Sequence, residues 1–202
     1  MQPTIILLIG TSSAGKSTLA TLLQNDLPEH FLLLGIDDIF RMVSERWGGG
    51  MGGPLSAEGF RYDRTAAPGI ITIRYGAVGK QVLAGMHRAV AAFAQAGNSL
   101  IVDEMLLDEW CLIDWVECLN RFHPLLVNVT AALETLEQRE RQRGNEPGLA
   151  RGHFPINMLR YSDLLLDTTR LSPQAGVEAL LGWLATRPTA SAVRQYSQDF
   201  GL

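Results

Sequence analysis

The chain is expected to fold as a doubly wound α/β domain, a mostly parallel five-stranded sheet with helices on both faces. Two observations predict this. Short apolar runs bounded by turns (Thr4–Ile9, Phe31–Ile36, Ser99–Val102, Leu125–Val129 and Leu164–Leu166) alternate with stretches of helical periodicity, the rhythm of a parallel sheet with crossover helices. The length of 202 residues suits one domain with a core able to stand alone. In such sheets ligands bind at the C-terminal ends of the strands.

The elements follow in order. A first helix opens in the glycine turn after Ile9 and runs to about Asn25, with Pro28 beyond its end. Asp37 or Asp38 can cap a helix over Ile39 to Trp47. A long helix from Gly79 to Ala96 carries Val82, Met86, Val90 and Phe93 at helical spacing and stops at Gly97. Asp108 can cap the next, which holds Trp110, Ile113, Val116 and Leu119, and Thr130 can cap another holding Leu133 and Leu136. Ser172-Pro173 is an N-cap followed by proline at the first helical position, opening a helix to about Ala185. The single domain is expected over residues 1–186, with a peripheral, frayed tail over 187–202. Two segments break the rhythm: a glycine-rich excursion over 48–76 and a polar stretch over 144–155. Long loops in a compact domain are functional or disordered.

Composition narrows the function. The chain is 47% hydrophobic and 19% charged with net charge −4, which argues against nucleic acid or an anionic membrane as the main partner. Cys111 and Cys118, seven apart in an apolar helical stretch, read as reduced core cysteines on one helix face. Ile5 to Ile9 is too short to span a bilayer, and the N-terminal residues lack a secretion signal, so a cytoplasmic protein is expected. Neither His87 nor His153 has a partner at metal spacing, and both read as surface or structural histidines. The helices show no extended seam that would reveal an oligomeric state.

The most specific motif is Gly10-Thr11-Ser12-Ser13-Ala14-Gly15-Lys16-Ser17, followed by Thr18, between the first apolar run and the first helix. The spacing G-x-x-x-x-G-K-S lets backbone N–H groups converge on phosphates at the positive end of a helix. Lys16 is one of only two lysines, arginine supplying fifteen of the seventeen basic residues. It would reach the terminal phosphates, Ser17 would place its hydroxyl on Mg²⁺, and Thr18 would support the loop. Asp37, directly after the second strand, stands where it could accept the proton of an attacking hydroxyl. Asp103, ending Leu100-Ile101-Val102-Asp103, is a candidate Mg²⁺ carboxylate. Glu104 beside it raises a rival, the water-activating glutamate of mechanical ATPases.

Arg139, Arg141 and Arg143 end a helix before the polar stretch; 139 and 143 share a face and 141 points away. Arginine's permanent planar charge suits a transferring phosphoryl group, which makes Arg143 and Arg139 lid candidates over 139–155, with Arg151 a further one. Trp47, Phe60 and Tyr62 could line an acceptor pocket within 41–76. A nucleotide-binding switch acting through a partner is an alternative. A GTPase form of it is disfavoured, because Asp103-Glu-Met-Leu106 lacks the switch glycine and the chain has no Asn-Lys-x-Asp motif.

Taken in order, Gly10 to Ser17, Gly35-Ile36-Asp37, Ala96-Gly97 before Ile101-Val102-Asp103, Arg139-Glu140 with Arg143-Gly144, and Asp167-Thr168-Thr169 resemble the chloramphenicol phosphotransferase family of P-loop kinases. The resemblance implies ATP and Mg²⁺ as cofactors and transfer of the γ-phosphate to a hydroxyl of a small molecule. It implies Asp37 as the base, Arg143 as a lid residue, and Asp167, Thr168 and Thr169 near the adenine end of the nucleotide. The match thins over 41–76, so the acceptor, chloramphenicol or an unrelated metabolite, is not specified.

Overall fold

The computed structural model describes residues 3–202. Residues 1 and 2, where the expected domain begins, lie outside it. Strands β1 (Ile5–Ile9), β2 (Phe31–Gly35), β5 (Ser99–Glu104), β6 (Leu125–Thr130) and β7 (Leu164–Asp167) form one parallel sheet in the order β2-β5-β1-β6-β7. The central strand β1 is buried throughout, as a strand covered on both faces must be. Ile5, Leu7 and Ile9 face a core made with helices α2 (Ile36–Met42), α3 (Ala77–Gln95), α4 (Glu109–Leu119) and α8 (Ala192–Phe200). Ile6 and Leu8 face the opposite core, with α1 (Lys16–Asp26), α7 (Pro173–Ala185) and Leu136 of α5 (Leu133–Gln142).

Helix boundaries follow local chemistry where caps are present. Asp108 accepts the Cys111 N–H at 3.2 Å and Ser172 accepts that of Ala175 at 3.2 Å, as their positions predict. Three expected boundaries move. Asp38 sits inside α2 and accepts the Gly35 N–H at 2.8 Å, so the helix begins at Ile36; it ends at Met42, where Val43 turns extended, leaving a 3-10 turn over Glu45–Trp47. Thr130 ends β6 and caps nothing. The N-cap of α5 is Ala132, whose N–H goes to Thr169 Oγ1 across the β6–β7 edge at 2.8 Å.

The two irregular stretches and the tail also carry regular structure. Within 48–76, β3 (Phe60–Asp63) and β4 (Thr72–Tyr75) pair as an antiparallel hairpin, Phe60 and Ile73 inward, Arg61 and Arg74 outward. The glycine run beneath it allows close packing: a Cβ on Gly48, at φ +86°, would lie 1.8 Å from the Phe60 carbonyl oxygen. Within 144–155, α6 (Leu149–Asn157) forms despite Pro155, because the Glu140 carboxylate accepts the N–H groups of Gly148 at 2.9 Å and Ala150 at 2.8 Å. The tail, expected to fray, forms α8, which buries Ala192, Val193 and Tyr196 in the core.

Candidate active site

β1 delivers the chain into the Gly10–Gly15 loop at the C-terminal edge of the sheet, and α1 begins at Lys16. The loop curls through left-handed conformations at Ser13 (φ 61°) and Gly15 (φ 96°). It is held from several sides: the Gly10 N–H donates to the Glu104 carbonyl at 3.2 Å, the Thr11 hydroxyl donates to the Ala150 carbonyl at 2.9 Å, and Arg139 Nη1 donates to the Ser13 carbonyl at 3.2 Å. The N–H groups at the start of α1 therefore stand as a preformed anion cradle.

β5 lies beside β1, and this places Asp103 on the loop. Ser17 Oγ donates to Asp103 Oδ2 at 2.5 Å, and Lys16 Nζ lies 3.6 Å from Asp103 Oδ1 while donating to the Thr11 carbonyl at 3.2 Å. Glu104, one residue on, turns to the other face, where its carboxyl is buried and accepts the Trp115 indole N–H at 3.0 Å. Burial pushes its pKa up to about 8. It does not line the cleft over the loop, which removes the support for a water-activating role.

Asp37, in the first turn of α2, shares a cleft of about 420 Å³ with Lys16, Ser17, Asp103 and Arg143. Desolvation by the walls raises its pKa, the Asp103 and Asp38 charges add to this, and Lys16 and Arg41 oppose it. Phe40, Met51, Tyr62, Ile73, Asn145 and Leu149 form part of the remaining wall, supplied by α2, the glycine segment, the hairpin and the entry to α6, and Met105 just after β5 adds to it. Of the expected acceptor aromatics only Tyr62 reaches this cleft; Phe60 is fully buried in the core.

A second cavity of about 320 Å³ lies on the α7 side of the loop, lined by Ser13, Gly15, Thr18, Leu19, Arg139, Gln142, Arg143, Thr168, Leu171, Ser172 and Pro173. Ser13 and Arg143 border both spaces. Arg139 fixes this side by donating to the Thr168 hydroxyl at 3.0 Å and the Thr168 carbonyl at 2.7 Å. Thr168 lines the cavity; Asp167 and Thr169 stand behind it, with Asp167 Oδ1 accepting the Thr169 N–H at 2.8 Å. Arg151 pairs with Glu137 at 2.7 Å and lines neither space, so it is not brought to the loop. The lining residues Leu19, Gln142 and Leu171 carry no sequence signal of their own, and Pro173 signals only the start of a helix. Only the meeting of α1, α5 and α7 collects them.

Residues 3–182 match the family described as chloramphenicol phosphotransferase-like protein. The chain belongs to this family. A relative from Mycobacterium tuberculosis named "Putative O-phosphotransferase" is 29% identical over 160 residues, 73% of this chain and 67% of the relative. Among solved structures, a sugar kinase from Janibacter sp. HTCC2649 superposes with TM-score 0.63 at 18% identity, covering 95% of this chain and 98% of that one. The Mycobacterium tuberculosis APS kinase, in complex with AMPPNP and APS, gives 0.59 at 14% identity, covering 91% and 98%. Shikimate kinase from Aquifex aeolicus gives 0.55 at 16% identity, covering 91% and 98%. These likenesses establish the P-loop kinase fold for this chloramphenicol phosphotransferase-like chain, and with the family they make it a phosphotransferase. Among its described residues no helix is long and apolar enough to cross a membrane.

Proposed function

We propose that the protein transfers the γ-phosphate of ATP to a hydroxyl of a small molecule, with Asp37 as the general base. The observation that carries this reading is the convergence of Asp37 with Lys16, Ser17, Asp103 and Arg143 on one cleft beside the phosphate loop. ATP fits with its phosphates on the loop and its base in the α7-side cavity, whose Leu19, Leu171 and Pro173 offer apolar surface. Ser17 and Asp103 present two hard oxygen donors side by side, a set suited to Mg²⁺, and they would hold that ion. When bound, the ion supplies charge neutralisation at the phosphates.

The chain's own groups do the rest. Asp37 accepts the acceptor's hydroxyl proton as that oxygen bonds to the γ-phosphorus and the bond to the β,γ-bridging oxygen breaks, releasing ADP. Lys16 and Arg143 stabilise the charge spread over the transferring group. Asp37's raised pKa makes it a better proton acceptor than a solvated aspartate. The acceptor occupies the wall formed by Phe40, Met51, Tyr62 and Asn145.

The test is an ATP-consumption screen over hydroxylated antibiotics and metabolites, with Asp37→Asn beside the wild type. Asp37→Asn should bind ATP normally in calorimetry and lose about 100-fold or more in acceptor-dependent turnover, the usual share of a general base. Near-normal transfer by that variant would sink the role given to Asp37. ATP turnover indifferent to every acceptor, joined to tight binding of a protein partner, would favour a regulatory switch instead.

A further inference from the structure

Helix α6 touches both halves of the site, and its contacts are specific. On the loop side, the Ala150 carbonyl accepts the Thr11 hydroxyl at 2.9 Å. On the other side, His153 Nε2 accepts the backbone N–H of Ile73 at 2.8 Å, inside the hairpin that supplies Tyr62 and Ile73 to the Asp37 cleft. Ile71 N–H adds a bond to the Gly148 carbonyl at 3.0 Å, and Gly152 lets the hairpin backbone lie against the helix, since a Cβ there would fall 1.9 Å from the Ile71 carbonyl oxygen. The hairpin is not part of the main sheet, so these bonds, together with the Tyr75 hydroxyl donating to Asp108 Oδ2 at 2.6 Å, fix where its strand β4 lies, and only those to α6 link it to the helix that touches the phosphate loop.

The helix itself is anchored at both ends. Glu140 binds the N–H groups of Gly148 and Ala150, and at the far end Asn157 bonds both the N–H and the carbonyl of Leu106, at 2.9 and 3.0 Å. His153 is 2% exposed. Burial, with the Arg74 charge adding to it, pushes its pKa down to about 4, so the ring is neutral and Nε2 serves as an acceptor.

We infer that α6 couples the two substrate sites, with His153 the positioning residue through which nucleotide on the phosphate loop steadies the hairpin wall of the Asp37 cleft. The inference rests on the reading of the loop as a nucleotide site. The physical ground is that Thr11 of the loop and Ile73 of the hairpin bind the same helix three residues apart, at Ala150 and at His153, so a loop held more firmly by bound phosphates restrains the hairpin's attachment as well.

The probe is ADP with Mg²⁺, and the readout is amide hydrogen exchange of residues 10–18 and 60–75 with and without it. Wild-type protein should show protection in both segments, with exchange of the hairpin amides slowed roughly tenfold, a size consistent with one buried hydrogen bond made more persistent. In His153→Leu, ADP should still protect 10–18 while the hairpin response is lost. His153→Gln, whose side-chain oxygen can accept from Ile73, should recover most of it. A merely structural histidine would lower the melting temperature in His153→Leu and leave the hairpin's response to ADP intact, and that result overturns the inference. So does wild-type protection confined to 10–18, an arm that decides even if His153→Leu fails to fold. Wild-type protein that binds no ADP overturns the nucleotide reading and the coupling together.

Discussion

Asp103 and Glu104 are neighbours on β5 and send their carboxyl groups to opposite sides of the sheet. Asp103 takes the Ser17 hydroxyl at 2.5 Å beside the phosphate loop, and Glu104 takes the Trp115 indole at 3.0 Å inside the core. Strand alternation alone enforces this division, because successive side chains point to opposite faces. It gives one carboxylate to the site and makes the other a buried acid.

Glu104 therefore has a thermodynamic signature. Its carboxyl stays protonated in the folded state up to about pH 8, whereas the unfolded chain ionises near 4.5. Folding takes up a proton between those values, so the stability Glu104 contributes is complete below about 4.5 and is lost as pH rises to about 8. Glu104→Gln keeps an acceptor for the indole and removes the titration. The unfolding free energy of this variant should exceed that of wild type by a margin that widens from pH 5 to pH 8, reaching on the order of several kcal/mol by linkage in denaturant unfolding, as about 1.4 kcal/mol accompanies each pKa unit. A pH-independent difference would show that Glu104 is ionised in the fold.

Lys16 serves both binding and transfer in the proposed reaction, so Lys16→Ala should weaken ATP affinity and turnover together. The contrast with Asp37→Asn, which spares affinity, separates a phosphate-holding cation from a proton acceptor. Calorimetry with ATP and an acceptor-dependent turnover assay check it. An unchanged ATP affinity in Lys16→Ala would contradict the role of the loop.

The pH dependence of transfer follows from Asp37. Its pKa lies above the ordinary 3.8, and only the ionised form accepts a proton, so kcat/KM should fall on the acid side with a midpoint above 3.8. Arg41→Gln removes one of the charges that hold this pKa down, and should move the acid limb to higher pH. A limb that stays in place would show that another group controls it.

Arg139 ties the phosphate loop to the end of β7 through the Ser13 carbonyl and both oxygens of Thr168. Arg139→Ala leaves these acceptors without their cationic donor and should cost about 2 kcal/mol. For a chain of this size that corresponds to a melting temperature lower by roughly 4–8 °C in calorimetry. Lysine should restore little, because it lacks the planar fork that spans the three acceptors.

Tyr196 tests the C-terminal helix. Its ring is 5% exposed, stacks against Phe200 and meets Tyr161 edge-on, and its hydroxyl accepts the Tyr161 N–H at 3.0 Å. Tyr196→Ala should destabilise the protein by about 3–5 kcal/mol in denaturant unfolding, as large-to-small changes of buried aromatics do. The same change at exposed Gln195 should cost within about 0.5 kcal/mol.

Local chemistry made much of this molecule legible. The five apolar runs are the five strands of the sheet, the caps at Asp108 and Ser172 act where they stand, and the Gly10–Ser17 spacing announces a phosphate loop, because each depends on residues close in sequence. What failed to show was set by distant partners. Helix α6 contains a proline and starts after a glycine, and it forms because Glu140, eight residues before Gly148, caps it. The hairpin alternates over only four residues per strand, too few to stand out, and is secured by its packing against Trp110 through Tyr75 and against α6 through His153. Tail residues 192–200 carry a short amphipathic stripe whose burial depends on α4 being there to receive it.

The sequence by itself determined the sheet, the phosphate loop and the acidic and basic residue types of the site, since strand alternation, glycine spacing and capping are local properties of the chain. Tertiary structure decided which of those residues work together. Strand order set Asp103 against Ser17, and the meeting of α5 with β7 put Arg139 on the loop. The hairpin and α6 closed the wall opposite Asp37. Those assignments depend on pairings between segments separated by tens of residues, whose geometry exists only once the sheet has ordered its strands.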